Sequence, residues 1–155
     1  MFNVDIYIET SMKGPGRRKG WYAAVIECKK RNGEIHKRTD YVEEENLTYH
    51  KSVLRGLIRS LQRLNTCSSI CIHTDSMYLI GNVKRGNLDK WRENDFTSSK
   101  NREIKNRSEW EMVDKLLKGH KIEFCYGKQN KYTEELQQFA EKIKQQVNVG
   151  DGYEH

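Results

Sequence analysis

From the first residues of the chain apolar and polar positions alternate: Phe2, Val4, Ile6 and Ile8 are interleaved with Asn3, Asp5, Tyr7 and Glu9. A period of two belongs to a strand with one apolar face, and it sets Glu9 on the side opposite Ile8. Gly14, Pro15 and Gly16 predict a turn that carries the basic cluster Arg17, Arg18 and Lys19, followed by a second strand from about Trp21 to Cys28. Asn32-Gly33 is a hairpin signal, and a third strand is expected from about Glu34 to Tyr41. The first three strands therefore read as an antiparallel meander.

Beyond the acidic stretch Glu43, Glu44 and Glu45 the period changes. Val53, Leu54, Leu57, Ile58, Leu61 and Leu64 recur at helical spacing, with Thr48 placed to cap the helix. The segment from Ser69 to Asp75 predicts a fourth strand that ends on a carboxylate and passes into a helix holding Tyr78, Leu79 and Val83. From Lys84 to Arg107 the pattern loosens and turns basic around Leu88, Trp91 and Phe96. Ser108 and Glu111 have the spacing of a capping box, which predicts a helix opening at Ser108. Ile122, Phe124 and Tyr126 predict a last strand, and Leu136, Phe139, Ala140, Ile143 and Val147 stripe a last helix from near Thr133. A domain over 1–149 with a frayed tail from Gly150 to His155 is expected. A meander followed by alternating strands and helices means an α/β fold, a mixed sheet with helices on its faces.

Composition narrows the setting. A chain of 155 residues suits one domain with one core. No run approaches the roughly 18 to 20 apolar residues that span a bilayer, and Met1 leads straight into a strand-like segment, so a cytoplasmic protein with no membrane partner is expected. The net charge of +6 favours polyanionic partners, because cations that neutralise phosphates release condensed counterions. Cys28, Cys67, Cys71 and Cys125 are scattered with no Cys-x-x-Cys pair, which points to buried free thiols rather than a zinc site.

Three acids sit where a sheet would present them together: Glu9 on the first strand, Asp75 at the end of the fourth, and Glu134 opening the last helix. Carboxylate oxygens suit hard divalent cations, and such ions can activate water and stabilise a leaving oxygen. Each acid also has a plain reading, as a surface residue, a helix cap and a partner of the helix dipole respectively.

Their joint placement resembles ribonuclease H of type 1. Ile6-Tyr7-Ile8-Glu9-Thr10-Ser11 looks like the family's opening strand, with glutamate where aspartate is usual. His73-Thr74-Asp75-Ser76-Met77-Tyr78 resembles the segment that supplies its central metal-binding aspartate, Thr133-Glu134-Glu135-Leu136 its closing acidic motif, and Lys105-Asn106 with Trp110 its stretch before the fourth helix. The resemblance implies a five-stranded mixed sheet, the meander followed by two parallel strands. It implies a Mg2+ or Mn2+ site on Glu9, Asp75 and Glu134, and hydrolysis of the RNA strand of RNA/DNA hybrids. A duplex surface formed by Arg17, Arg18, Thr48, Lys84, Arg85, Trp91, Arg92 and Lys105 is expected, the stretch from Lys84 to Arg107 resembling the cationic extension of some relatives, in a protein expected to act as a monomer.

Two departures stand out. The family's remaining carboxylate, on the helix after the meander, falls at Val53, unless Glu43, Glu44 or Glu45 replaces it in a different register. The loop Gly127-Lys128-Gln129-Asn130 lacks the histidine of many relatives. A weakened nuclease and an inactive module that binds duplex nucleic acid or a protein partner therefore both remain open.

Overall fold

The computed structural model describes residues 1–98 and 100–153, with side chains described through 147 apart from residue 99. Its strands are β1 (Phe2–Thr10), β2 (Arg18–Lys29), β3 (Ile35–Leu47), β4 (Ser68–Thr74) and β5 (Lys121–Tyr126). Its helices are α1 (Tyr49–Gln62), α2 (Met77–Lys84), α3 (Asn87–Glu93), α4 (Arg107–Leu117) and α5 (Thr133–Tyr153). The strands form one sheet in the order β3-β2-β1-β4-β5, antiparallel from β3 to β1 and parallel from β1 to β5. This is the expected mixed five-stranded sheet flanked by helices. The expected tail at 150–155 falls where side chains, and for 154–155 the backbone, lie outside the described residues.

The period-two residues of β1 and β4 decide which layer covers which face. Val4, Ile6, Ile8, Ile70 and Ile72 face α1, whose Val53, Leu54, Leu57 and Leu61 are at most 1% exposed, and Trp110 and Val113 of α4 close the same core. A Cβ at Gly56 would lie 3.3 Å from Ile8 Cγ2, so a glycine there lets α1 approach the sheet closely. On the opposite face Leu136 of α5 packs on Tyr7, Ala23 and Val25. Among the described residues that helix packs on the meander, while the outer residues Cys71, Glu123 and Cys125 of β4 and β5 are half-buried or exposed.

Three expectations need correction. The third strand does not stop at Tyr41 but runs to Leu47, taking in the acidic stretch, with Trp21 opposite Glu43 and Gly20 opposite Glu44. Charge did not break it because its acids are satisfied: Glu44 accepts from the Tyr22 hydroxyl at 2.6 Å and pairs with Arg55. α4 is capped two residues early, by Asn106 at φ 60°, so Ser108 lies inside the helix and Glu111 accepts from Arg107 at 2.5 Å instead of closing a box. The four cysteines are free but none is buried: Cys28 and Cys71 are half-buried, and Cys67 and Cys125 are exposed. Cys125 sits on the edge strand β5, where alternate residues face solvent. Thr48, by contrast, caps α1 as expected, accepting from the Lys51 N–H at 3.3 Å.

One polar cluster ties α5 to the meander. The buried Glu27 pairs with Lys131 at 2.8 Å and accepts from the hydroxyls of Tyr132 and Tyr7. Burial alone would push its carboxyl up, but the hydrogen bonds from Lys131, Tyr132 and Tyr7 together hold it below its ordinary value of 4.5. A carboxylate depressed in the folded state contributes stability above its unfolded pKa and loses it as pH falls through the folded value. Thermal melts from about pH 7 to about pH 3 are therefore expected to fall more steeply below about 4.5 in the wild type than in Glu27→Gln, the two curves converging in acid.

Candidate active site

Parallel pairing of β1 with β4 sets Tyr7 beside His73, and two residues further along each chain stand Glu9 and Asp75. The alternation that buries Ile8 and Thr74 on one face brings these two carboxylates to the other. Glu9 is buried, its side chain 3% exposed, while that of Asp75 is 21% exposed. Between them lies the ammonium of Lys13, 3.1 Å from Glu9 Oε1 and 2.7 Å from Asp75 Oδ2. The remaining oxygen of Asp75 accepts from the Tyr49 hydroxyl at the start of α1. Burial first, then that bond and the charges of Asp75 and Glu9, push the Tyr49 hydroxyl up, so it stays a donor. Glu9 Oε1 also accepts from the Thr10 N–H at 3.3 Å.

The α1 residue that reaches this end of β1 is Ser52, whose hydroxyl lies 2.8 Å from that of Thr10 and 2.7 Å from the Tyr49 carbonyl. Val53, where the missing carboxylate was placed, is turned into the core instead. One residue is about 100° of rotation on a helix, which moves a side chain from the sheet's end to its hydrophobic face. Glu44 is engaged by Tyr22 and Arg55, and Glu43 accepts from Tyr41 at 3.1 Å. Glu134 is exposed in the first turn of α5 and accepts from Gln138 at 3.3 Å; no hydrogen bond or ion pair among the described residues joins it to Glu9, Asp75 or Lys13. His120, which lies before β5, accepts at Nδ1 from the Ser68 N–H at 3.0 Å.

Glu9 and Asp75 together fit a hard cation, for they already hold one. A positive group tethered through Lys13 sits between the same oxygens that a divalent ion would use. Nothing in the sequence singled out Lys13, Tyr49 or Ser52 for these contacts. Lys13 lies four residues after Glu9, yet no periodic element joins them, and the turn that folds it back is visible only in three dimensions.

Beside Asp75 runs a groove of about 680 Å³ between the β1–β2 loop, the start of α1 and the approach to α4. Arg17, Thr48, Tyr49, His50 and Lys105 line it. The His50 ring stacks on Tyr78 at 3.9 Å; burial, then Lys105, push its pKa down. Arg18 donates to the Lys13 carbonyl at 3.2 Å. The other basic candidates lie elsewhere. Lys84 and Arg85 close α2, and Lys84 lines a separate depression with Ile122 and Phe124. Trp91 packs edge-on against Trp110 at 5.3 Å, and Arg92 is held by Asp114 and by Asp89 at 3.1 Å. Both are engaged within the fold.

The family model for RNase H matches residues 2–147. The chain belongs to the RNase H family. Among its relatives, Ribonuclease H of Clostridium botulinum is 27% identical over 154 residues, covering 96% of this chain and 100% of that protein. Ribonuclease H of Wolbachia pipientis wMel is 28% identical over 142 residues, covering 90% and 93% respectively. The fold is shared with LC9-RNase H1, a type 1 RNase H with the type 2 active-site motif, at a TM-score of 0.69 and 24% identity over 87% of this chain and 70% of that one. It is shared too with the foamy viral protease-reverse transcriptase solved in complex with dsDNA, at a TM-score of 0.63 and 18% identity over 86% and 84%.

Proposed function

We propose that this RNase H family member is a divalent-metal-dependent endonuclease that hydrolyses the RNA strand of RNA/DNA hybrids, and that its activity is weak. The observation that carries this reading is the convergence of Glu9 and Asp75, from parallel neighbours β1 and β4, on one positive charge. Magnesium or manganese would take its oxygen ligands from these two residues, with Glu134 the further acid that the family pattern would add. When bound, such an ion polarises a phosphoryl oxygen and lowers the pKa of its water. The chain's own groups do the positioning. Tyr49 fixes the orientation of Asp75, Ser52 and Thr10 hold the end of β1, and Arg17 and Lys105 provide phosphate contacts along the adjoining groove.

Two features support low activity. α1 offers the neutral Ser52 hydroxyl at this end of the sheet rather than a carboxylate, so less negative charge gathers a second ion. Lys13 must also swing away before a cation can enter, and its displacement from two ion pairs weakens metal affinity. The same ammonium bridge favours a second reading, an inactive module that retains duplex binding. In either case the working form is a cytoplasmic monomer.

Labelled RNA/DNA hybrid incubated with the protein in Mg2+ or Mn2+ tests the proposal. Cleavage is expected in at least one metal, with faster cutting in manganese. Tight hybrid binding that weakens steeply with salt, without cleavage in either metal, would establish the second reading instead.

A further inference from the structure

The outer face of β4 and β5 gathers a different set of donors. Asp5 on β1 is paired across the sheet with Cys71 on β4, and His73 lies two residues beyond on the same face. His73 Nε2 is 2.9 Å from Asp5 Oδ1. One donor atom from each of Asp5, Cys71 and His73 lies within 4.8 Å of the others. The His73 ring is stacked on Tyr7 at 4.1 Å and 13°, and Tyr7 is itself buried, so the imidazole plane is set before anything binds. β5 continues the patch, with Glu123 opposite Cys71 and Cys125 opposite His73.

We propose that Asp5, Cys71 and His73 form a binding site for a thiophilic divalent cation, zinc foremost, that is separate from the Glu9–Asp75 pair. A thiolate, an imidazole and a carboxylate are a zinc donor set, whereas magnesium avoids sulfur. Tetrahedral zinc with bonds of about 2.0 to 2.3 Å separates its ligands by roughly 3.3 to 3.8 Å, which small rotamer changes reach from the present spacing. Three protein ligands leave a fourth position to solvent or to a β5 side chain. Burial and the charges of Asp5, Cys125 and Glu123 push the Cys71 thiol up. The carboxylates of Asp5 and Glu123 beside it add negative charge that draws a dication to this position. Along β1 Asp5 precedes Glu9 by four residues and along β4 Cys71 precedes Asp75 by four, roughly 13 Å of strand in each case, which sets the thiolate site apart from the Glu9–Asp75 pair. The spacing of cysteines along the chain hid this site, because its ligands come from two strands about 65 residues apart that meet only in the sheet.

Cobalt as a probe separates thiolate coordination from carboxylate binding. The reduced, full-length protein titrated with Co2+ is expected to develop a thiolate-to-cobalt charge-transfer band saturating at one equivalent, displaced by Zn2+. The band should vanish in Cys71→Ser, fall at least about tenfold in apparent affinity in His73→Ala, and persist in Cys67→Ser. Zinc should raise the melting temperature of the wild type by roughly 5 to 10 °C at a hundredfold excess over its dissociation constant, and that of Cys71→Ser by distinctly less. Absence of a thiolate band at saturating cobalt, or its survival in Cys71→Ser, overturns the site. Cobalt bound at Glu9 and Asp75 gives no such band, so the result is independent of whether the protein cuts hybrids.

Discussion

Replacing Asp75 with Asn is expected to slow hybrid cleavage at least about a hundredfold while leaving hybrid affinity within about twofold of the wild type. Asparagine preserves the volume and still offers an oxygen to the Tyr49 hydroxyl, so the local packing has little reason to change. What disappears is one of the two charges that converge on the cation position. Loss of the half-exposed Lys13 ion pair costs at most about 1 kcal/mol, so a collapse in rate cannot be attributed to unfolding. Single-turnover cleavage and hybrid binding, measured on the same preparations, check this. Cleavage by Asp75→Asn at the wild-type rate would remove Asp75 from the chemistry. Lys13→Met sharpens the test from the other side: without the tethered ammonium, Mn2+ should raise the melting temperature more in the variant than in the wild type.

The largest expected effect on stability is at Trp110, where truncation to alanine should cost about 3 to 5 kcal/mol and lower the melting temperature by roughly 6 to 20 °C. Trp110 is fully buried between α4 and the rest of the core. Its indole N–H donates to the Tyr78 hydroxyl at 2.8 Å, and its ring meets Trp91 at 5.3 Å and Tyr78 at 5.5 Å. Alanine would leave a cavity at the junction of α2, α3 and α4, with the Tyr78 hydroxyl losing one of its two donors, the other being Asn106 at 3.2 Å. The damage would spread to the groove, because His50 stacks on Tyr78 and Lys105 adjoins Asn106. A melt of Trp110→Phe distinguishes shape from hydrogen bonding, since phenylalanine restores most of the volume but no N–H. A variant Trp110→Ala that melts within about 2 °C of the wild type would contradict this account of the core.

Much of the fold was legible because its signals are local. The alternation of Phe2 to Glu9 marks β1, the Asn32-Gly33 hairpin joins β2 to β3, and the stripe from Val53 to Leu61 marks the buried face of α1. Errors occurred where tertiary partners outweigh local preference. Glu43 and Glu44 stay in β3 because Tyr41, Tyr22, Arg55 and the β2 ladder satisfy them, and the exposed Glu45 lies 3.9 Å from Lys19. Asn106 opens α4 in a left-handed conformation that the better-spaced Ser108 and Glu111 gave no reason to expect.

For the site the division falls in the same place. Residue identities along β1 and β4 determined by themselves that Glu9 and Asp75 would lie on one sheet face at the ends of their strands, because strand alternation is a property of the backbone. Only the tertiary structure decided that Lys13 folds back between them, that Ser52 rather than Val53 meets the end of β1, and that Asp5, Cys71 and His73 form a cluster. Those contacts depend on loop path, helix rotation and strand pairing, and each is set by the packing of segments far apart in the chain rather than by the neighbours of any one residue.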